Sequence, residues 1–269
     1  MLYRRYTPPQ PLAALVDCFW YSEGFEGTHQ QERLLPNGES GIVFDLRQEP
    51  IRIYDSVDTA ISASFAPAVF CGSRTDCFVI DTSAQERVLG IQFKPGGAFP
   101  ILGMPASEVA NATYSLDDVW PGHTARMRER CLSASSVAAM FAILEEELLA
   151  RLARGPVLHV AVSFAVHRLS KGIRVRDVAE QAGLSSRRLI DLFEQQTGLA
   201  PKAFQRVRRF QRALRSLHSG REAQGAALAA ACGYYDQAHF IHDFRTFAGM
   251  TPGEYVTVAT PHLNHVPLQ

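Results

Sequence analysis

One pattern of residues occurs twice in the second half of the chain, and this repeat constrains the fold more than any other feature. The first copy, residues 178–201, reads VAEQAGLSSRRLIDLFEQQTGLAP, and the second, residues 228–252, reads LAAACGYYDQAHFIHDFRTFAGMTP. With one extra residue in the second copy, equivalent positions carry similar residues: Leu189 and Phe240, Phe193 and Phe244, Gly198 and Gly249, Pro201 and Pro252. Each copy of such a repeat usually forms one structural unit. The pattern predicts a short helix, a glycine turn, a second helix and a Gly-x-x-Pro stop.

Turn and capping residues support two helix-turn-helix units. Gly183 can adopt the left-handed conformation that a tight turn requires, and Gly233 holds the same place in the second copy. Ser185 and Asp236 are residue types that cap helices, because their side-chain oxygens accept hydrogen bonds from free backbone N–H groups. Each second helix is therefore expected to begin at a cap and to bury an apolar face.

A longer helix is predicted between the two copies, over residues 201–219. Its apolar residues recur at spacings of four and three, which predicts one buried face: Ala203, Val207, Phe210, Leu214 and Leu217. At ~1.5 Å per residue the helix spans ~28 Å, and successive major-groove faces of B-DNA repeat every ~34 Å. It can therefore hold two helix-turn-helix units in adjacent grooves. Arg208 and Arg212 lie along it as candidate phosphate contacts, with a solvated face as the alternative.

Charge is divided unevenly along the chain. Residues 1–150 contain 11 Lys and Arg against 19 Asp and Glu, a net −8, and the rest carries +8, so that the whole chain is +0. This asymmetry indicates a basic module that meets a polyanion. No apolar run approaches the ~18 residues of a membrane span, and the N-terminus lacks the apolar core of a secretory signal. The five cysteines favour reduced thiols, so we expect a cytoplasmic protein without a membrane partner.

The first half is predicted to form an antiparallel β-barrel, which makes the fold class α+β. Turn signals separate six segments rich in β-branched and aromatic residues, a pattern typical of sandwiches and barrels. These predicted strands are Leu15–Phe25, Ser40–Gln48, Ile51–Asp55, Ala66–Ser73, Asp76–Asp81 and Arg87–Phe93. Two helices are predicted to follow, about 123–131 and 135–154. Gly155 and Pro156 mark a boundary, so we predict one domain at 1–153 and an all-α domain at 157–258.

The helix at 135–154 carries an apolar stripe at helical spacing. Its members are Val137, Phe141, Leu144, Leu148 and Leu152. The stripe either packs on its own domain or forms a helix-to-helix seam in a homodimer, and the two interpretations are compatible. At the other end of the chain, the tail PHLNHVPLQ is expected to be disordered.

The first half lacks the residues that an enzyme of this size would need. Residues 1–150 contain only His29 and His123, without the clustered ligands of a metal site. We therefore predict no catalytic residue, no metal and no cofactor, and read this half as a binding barrel. Strand aromatics are candidates for lining a small-molecule pocket, although they are more often plain core. These candidates are Trp20, Tyr21, Phe44, Phe70, Phe78 and Phe93.

The second copy resembles the signature of the AraC/XylS family of bacterial transcription regulators. ACGYYDQAHFIHDFRTFAGMTPGEY is similar to the family pattern A-C-G-F-x-D-x-x-x-F-x-x-x-F-x-x-x-x-G-x-[TS]-P-x-x-[YF], and the resemblance covers residues 157–256. It implies two helix-turn-helix units bridged by a long helix, each placing a recognition helix in the major groove. ERLLPNGESGIVFDL, FCGSRT and GIQFKPGGAFPILGMP also resemble a cupin-like sensor domain found in some members. The implied partners are double-stranded DNA, RNA polymerase and an unknown small-molecule effector.

The resemblance also implies which residues contact DNA. They are Ser185, Ser186, Arg187, Arg188, Ile190 and Asp191 in the first unit, Gln237, Ala238, His239, Ile241, His242 and Arg245 in the second, with Arg208 and Arg212 between them. Arg187 can read a guanine or hold a phosphate, and Gln237 can pair with adenine or meet the backbone. Many members of the family have arginine at the positions of Asp191 and His242. The resemblance therefore does not predict which DNA sequence this protein recognises.

We therefore predict a DNA-binding transcription regulator with an N-terminal domain of 1–153 that senses an effector. The sequence leaves activation and repression open. The alternative is a barrel enzyme acting on a sugar-like metabolite, with DNA binding secondary. A DNA-repair methyl acceptor with a four-cysteine zinc site is disfavoured, because the cysteine spacing does not fit.

Overall fold

The computed structural model describes residues 2–25, 29–47, 49–219 and 225–268. Its element order confirms the predicted fold class, with antiparallel sheets first and a helical domain after them. Gln48, the predicted end of the strand that begins near Ser40, lies outside the described residues.

Eleven strands of the described residues form two antiparallel sheets. The strands are β1 (Leu2–Tyr6), β2 (Val16–Glu23), β3 (Gln31–Leu34), β4 (Gly41–Asp45), β5 (Ile51–Tyr54), β6 (Ser62–Phe65), β7 (Ala68–Cys71), β8 (Phe78–Asp81), β9 (Arg87–Phe93), β10 (Thr113–Ser115) and β11 (His265–Leu268). One sheet has the order β1-β2-β9-β4-β7-β10 and the other β11-β3-β8-β5-β6. The sheets do not close into one barrel over the described residues, which corrects the predicted barrel to a two-sheet arrangement.

All six predicted strands are present, as β2, β4, β5, β7, β8 and β9. The tail expected to be disordered instead contains strand β11, which pairs with β3 from His265 opposite Leu34 to Leu268 opposite Gln31. Gln269, the last residue of that predicted tail, lies outside the described residues. Val266 is fully buried. The tail is ordered because a sheet edge at the other end of the sequence receives it, and local composition does not reveal that edge.

Helices cover the outer face of the six-stranded sheet. They are α1 (Phe99–Leu102), α2 (Leu116–Val119), α3 (Thr124–Leu132) and α4 (Val137–Leu152). Alternate residues of the strands, such as Phe19, Phe44 and Phe70, pack into the same core as Phe141 and Leu148 of α4. The apolar stripe of α4 is therefore buried inside its own domain, which is the first of the two interpretations of that stripe.

Seven helices of the described residues follow. They are α5 (Val160–Ser170), α6 (Val175–Gln181), α7 (Ser186–Thr197), α8 (Pro201–His218), α9 (Ala226–Ala231), α10 (Gln237–Ala248) and α11 (Pro252–Val258). Phe204 at the start of α8 packs in the core of α5 to α7. Val207 and Phe210, further along α8, pack in the core of α9 to α11. The long helix therefore joins two helix-turn-helix units, one on each part of its length.

Among the residues that the structure describes, no helix is both long enough and apolar enough to span a membrane.

Candidate functional site

The helix α7 presents a polar face to solvent. Ser185 caps it, because its Oγ accepts a hydrogen bond of 3.2 Å from the backbone N–H of Arg188. Leu189, Leu192 and Phe193 are buried on the inner face. All six residues predicted to contact DNA from this unit are exposed: Ser185, Ser186, Arg187, Arg188, Ile190 and Asp191.

The helix α10 repeats this arrangement with different chemistry. The carboxylate of Asp236 caps it by accepting a hydrogen bond of 2.7 Å from the backbone N–H of His239. Of the predicted contacts, four are exposed and two are half-buried: Gln237, Ala238, His242 and Arg245 are exposed, and His239 and Ile241 are half-buried. Tyr235, immediately before the cap, is 93% exposed. Tyr235 is not among the predicted site residues. The only sequence feature that marks its position is the one-residue insertion in the second copy of the repeat.

Two ion pairs to one buried carboxylate hold α10 against α8. The carboxylate of Asp243 lies 2.8 Å from a nitrogen of Arg206 and 2.9 Å from a nitrogen of Arg209. Burial alone raises the pKa of Asp243, but the hydrogen bonds and charges of these two arginines outweigh burial and lower it. The carboxylate is therefore charged and fixes the second recognition helix on the long helix.

Arg208 and Arg212, predicted as phosphate contacts, hydrogen-bond to other parts of the protein. Arg208 donates to the backbone oxygen of Asn37 at 3.4 Å and pairs with the carboxylate of Glu39 at 3.3 Å. Arg212 donates to the backbone oxygen of Ser170 at 2.7 Å and to that of Cys232 at 3.1 Å. These neighbours lie far away in the sequence, so the spacing of residues along the helix does not reveal them.

The N-terminal domain contacts the long helix directly. Gln211 is buried and donates to the backbone oxygen of Pro36 and to the Oδ1 of Asn264, at 2.8 Å in each case. Leu35 and Cys77 pack in the same apolar core as α8 and α10. The second helix-turn-helix unit and the N-terminal domain therefore share one apolar core.

A cavity of about 610 Å³ is lined by residues of both sheets and by the tail. This volume lies in the range of small-molecule sites. Trp20, Val43 and Val69 line it from the larger sheet, and Ile53 and Phe78 from the smaller one. Residues 261–265, which follow the last helix, complete its wall.

Only two of the six aromatic candidates, Trp20 and Phe78, line this cavity. The other four belong to the core on the opposite face of the larger sheet: Tyr21, Phe44, Phe70 and Phe93. Successive side chains of a strand point to opposite faces, and the sequence does not say which face meets helices. Trp20 lies across Gly90, where an added Cβ would come within 2.1 Å of the indole ring. Glycine at this position therefore allows the indole to lie close against the sheet.

Buried hydrogen bonds tie the tail to the N-terminal domain at Glu32. Its carboxylate accepts from Gln85 at 2.6 Å and lies 2.8 Å from the ring Nδ1 of His265 and 2.7 Å from the ring Nε2 of His29. Burial alone raises the pKa of Glu32, yet the partners, His265 foremost, lower it to about 2. This carboxylate anchors strand β11 beside β3.

Within the described ranges, no group of three or more histidine, cysteine or carboxylate side chains could hold a metal ion. All five cysteines are free thiols, and four of them are buried. Burial raises the pKa of the Cys131 thiol to about 11. These cysteines are therefore packed side chains with little thiolate character.

The second copy and its surroundings match a known family. Residues 178–257 match a family model described as a helix-turn-helix domain. The C-terminal region is an AraC-type helix-turn-helix domain. Residues 4–115 match a second model, described as a domain of unknown function. No curated protein matches the chain.

Solved structures of other proteins are similar to this chain. A transcriptional regulator with an AraC-type DNA-binding domain from Chromobacterium violaceum is 26% identical over 38% of this chain and 95% of its own, with a TM-score of 0.35. A probable AraC family regulator from Rhodopseudomonas palustris is 28% identical over 38% of this chain and 100% of its own, with a TM-score of 0.34. ToxT from Vibrio cholerae is 11% identical over 97% of this chain and 99% of its own, with a TM-score of 0.45.

Proposed function

We propose that the chain is a cytoplasmic, sequence-specific transcription regulator that inserts α7 and α10 into two successive major grooves of DNA. The observation that carries the proposal is the pair of equivalent capped helices, each with a buried apolar face and an exposed polar face. The helix α8 between them has 18 residues and spans ~27 Å, which is comparable with the ~34 Å repeat of the groove. As part of this proposal, residues 1–153 and residues 157–258 form two domains, the second of which binds DNA.

A mobility-shift titration across salt concentrations tests DNA binding. Contacts to phosphates release counterions, so affinity is expected to fall steeply as salt rises. A random-sequence duplex library supplies the binding sites, because the natural site is unknown. Binding that does not weaken with salt is the result that would contradict the proposal.

We expect Arg187→Ala to change the preferred DNA sequence in one half-site and Gln237→Ala to change it in the other. Both side chains are exposed near the start of their helices, where base edges come within reach. Each loss is expected to cost about 1–3 kcal/mol on the preferred site and less on other sites. Competition binding with single-base variants measures this. An equal loss on every sequence would mean that the two residues contact only the backbone.

We further propose that the cavity receives a small-molecule effector, and that binding shifts the population between arrangements with different DNA affinity. The support is its volume, its apolar lining with Trp20 and Phe78, and its wall of tail residues 261–265. Mapping of bound DNA across the genome identifies neighbouring genes, whose products indicate the effector. If the genes beside the bound sites have no function in common, the mapping does not support the effector proposal.

RNA polymerase as a partner stays a prediction, and so does a homodimer through the helix at 135–154. A partner helix would meet the exposed residues Ala142 and Leu149, because Phe141, Leu144 and Leu148 are buried within the domain.

A further inference from the structure

The N-terminal domain donates a hydrogen bond to the same position in both copies of the repeat. The Oγ of Ser73 donates to the backbone oxygen of Thr197 at 2.5 Å. A guanidinium nitrogen of Arg33 donates to the backbone oxygen of Ala248 at 3.1 Å. Thr197 and Ala248 are the last residues of α7 and α10, and they are equivalent in the repeat.

Each contact lies at a left-handed glycine that ends a recognition helix. Gly198 has a φ of +84° and Gly249 a φ of +68°. A Cβ added to Gly198 would lie 2.6 Å from the Oγ of Ser73, and one added to Gly249 would lie 2.9 Å from the nearest guanidinium nitrogen of Arg33. The N-terminal domain therefore packs directly on the C-terminal end of both helices, with almost no free space.

These contacts act on the ends opposite to those that approach DNA. The caps Ser185 and Asp236, with the exposed residues that follow them, mark the other end of each helix. A helix of 12 residues is ~18 Å long. A small movement of its C-terminal end, which the N-terminal domain contacts, therefore changes the position of its N-terminal end, where the exposed residues predicted to contact DNA begin. Ser73 and Arg33 also have cavity-lining neighbours in the sequence, Arg74 and Leu34.

We propose that the N-terminal domain sets the distance between DNA half-sites that the two recognition helices accept, and that Ser73 and Arg33 are the positioning residues. The proposal rests on the proposed function, since it requires both helices to contact DNA. It adds that spacing specificity comes from residues that do not touch DNA.

A spacing series on the full-length protein tests the proposal. A duplex selected by the wild-type protein from a random library is altered by inserting or deleting one or two base pairs between its half-sites. The wild-type protein is expected to lose affinity about tenfold or more on the altered duplexes, because one helix can no longer reach its groove. In Ser73→Ala/Arg33→Ala the penalty is expected to shrink by about twofold for each of these two contacts, and so by about fourfold in all.

Arg130→Ala is the matched control, because it removes the pairs with Glu146 and Glu147 within the N-terminal domain, away from the helical units. It is expected to keep the wild-type spacing profile. Circular dichroism melting checks folding, and if the double variant does not fold, Ser73→Ala alone is expected to show about half of the effect on a logarithmic scale.

A double variant that binds the selected duplex and retains the full spacing penalty would overturn the proposal. A wild-type protein that selects no duplex at all would instead contradict the proposed function, and the spacing proposal with it. Equal loss of affinity at every spacing would also overturn it, because that result indicates general destabilisation without positioning.

Discussion

Glu32→Gln is expected to destabilise the protein by on the order of 2–3 kcal/mol near neutral pH. Glu32 is 2% exposed, and its carboxylate has three side-chain partners, His29, Gln85 and His265. Glutamine keeps the shape but removes the charge, and it places a donor group where the carboxylate accepts. Strand β11 is expected to loosen as a result, since His265 is its link to this cluster.

The pH dependence of this effect has a definite direction. The pKa of Glu32 is about 2 in the folded protein and its ordinary value is 4.5. A folded-state pKa below the unfolded one means that the carboxylate contributes its full stabilisation above about pH 4.5 and loses it as the pH falls toward 2. The stability difference between wild type and variant is therefore expected to shrink on acidification.

Urea unfolding at about pH 7 and about pH 4 measures both effects, with limited proteolysis of the tail as a local readout. Glu180→Gln is the matched control, because Glu180 is exposed on α6. Equal stability of the Glu32 variant and wild type at neutral pH would contradict the role given to this cluster.

Asp243→Ala is expected to cost about 3 kcal/mol and to weaken binding of the second half-site. The side chain is 3% exposed, and its removal leaves Arg206 and Arg209 without their shared carboxylate. The estimate lies at the low end of buried pairs because Arg206 is nearly half exposed and can be solvated. The helix α10 then loses both ion pairs to α8 while its phenylalanines remain packed.

Thermal unfolding and footprinting of both half-sites measure the two consequences of this substitution. Glu194→Ala, on the exposed face of α7, is the matched control for stability. A variant that melts like wild type and protects both half-sites equally would show that apolar packing alone positions α10.

The helical units could be predicted closely because their signals are local. Caps, turn glycines and apolar spacing lie within a few residues of one another, and α7 and α10 begin at Ser186 and Gln237, next to the predicted caps. The exposure of Arg187 and Gln237 follows from the same periodicity.

The missed features depend on residues that are far apart in the sequence. Arg208 lies on the predicted face of α8, but Glu39 meets it from a loop at a separation of 169 residues. Tyr21 and Trp20 are adjacent, and only the position of the helices on one side of the sheet decides which of them faces the cavity. Strand β3 was not predicted because its charged residues Glu32 and Arg33 hide the alternation of a strand.

The strand formed by His265–Leu268 has a consequence for how the protein folds during synthesis. Its partner Glu32 precedes His265 by 233 residues, so the ribosome adds more than two hundred residues after β3 before the smaller sheet can receive β11. Until then β3 has β8 on one side and an open edge on the other, and open edges recruit other chains. A nascent chain that does not yet contain His265–Leu268 is therefore expected to aggregate more readily than a chain that contains this strand.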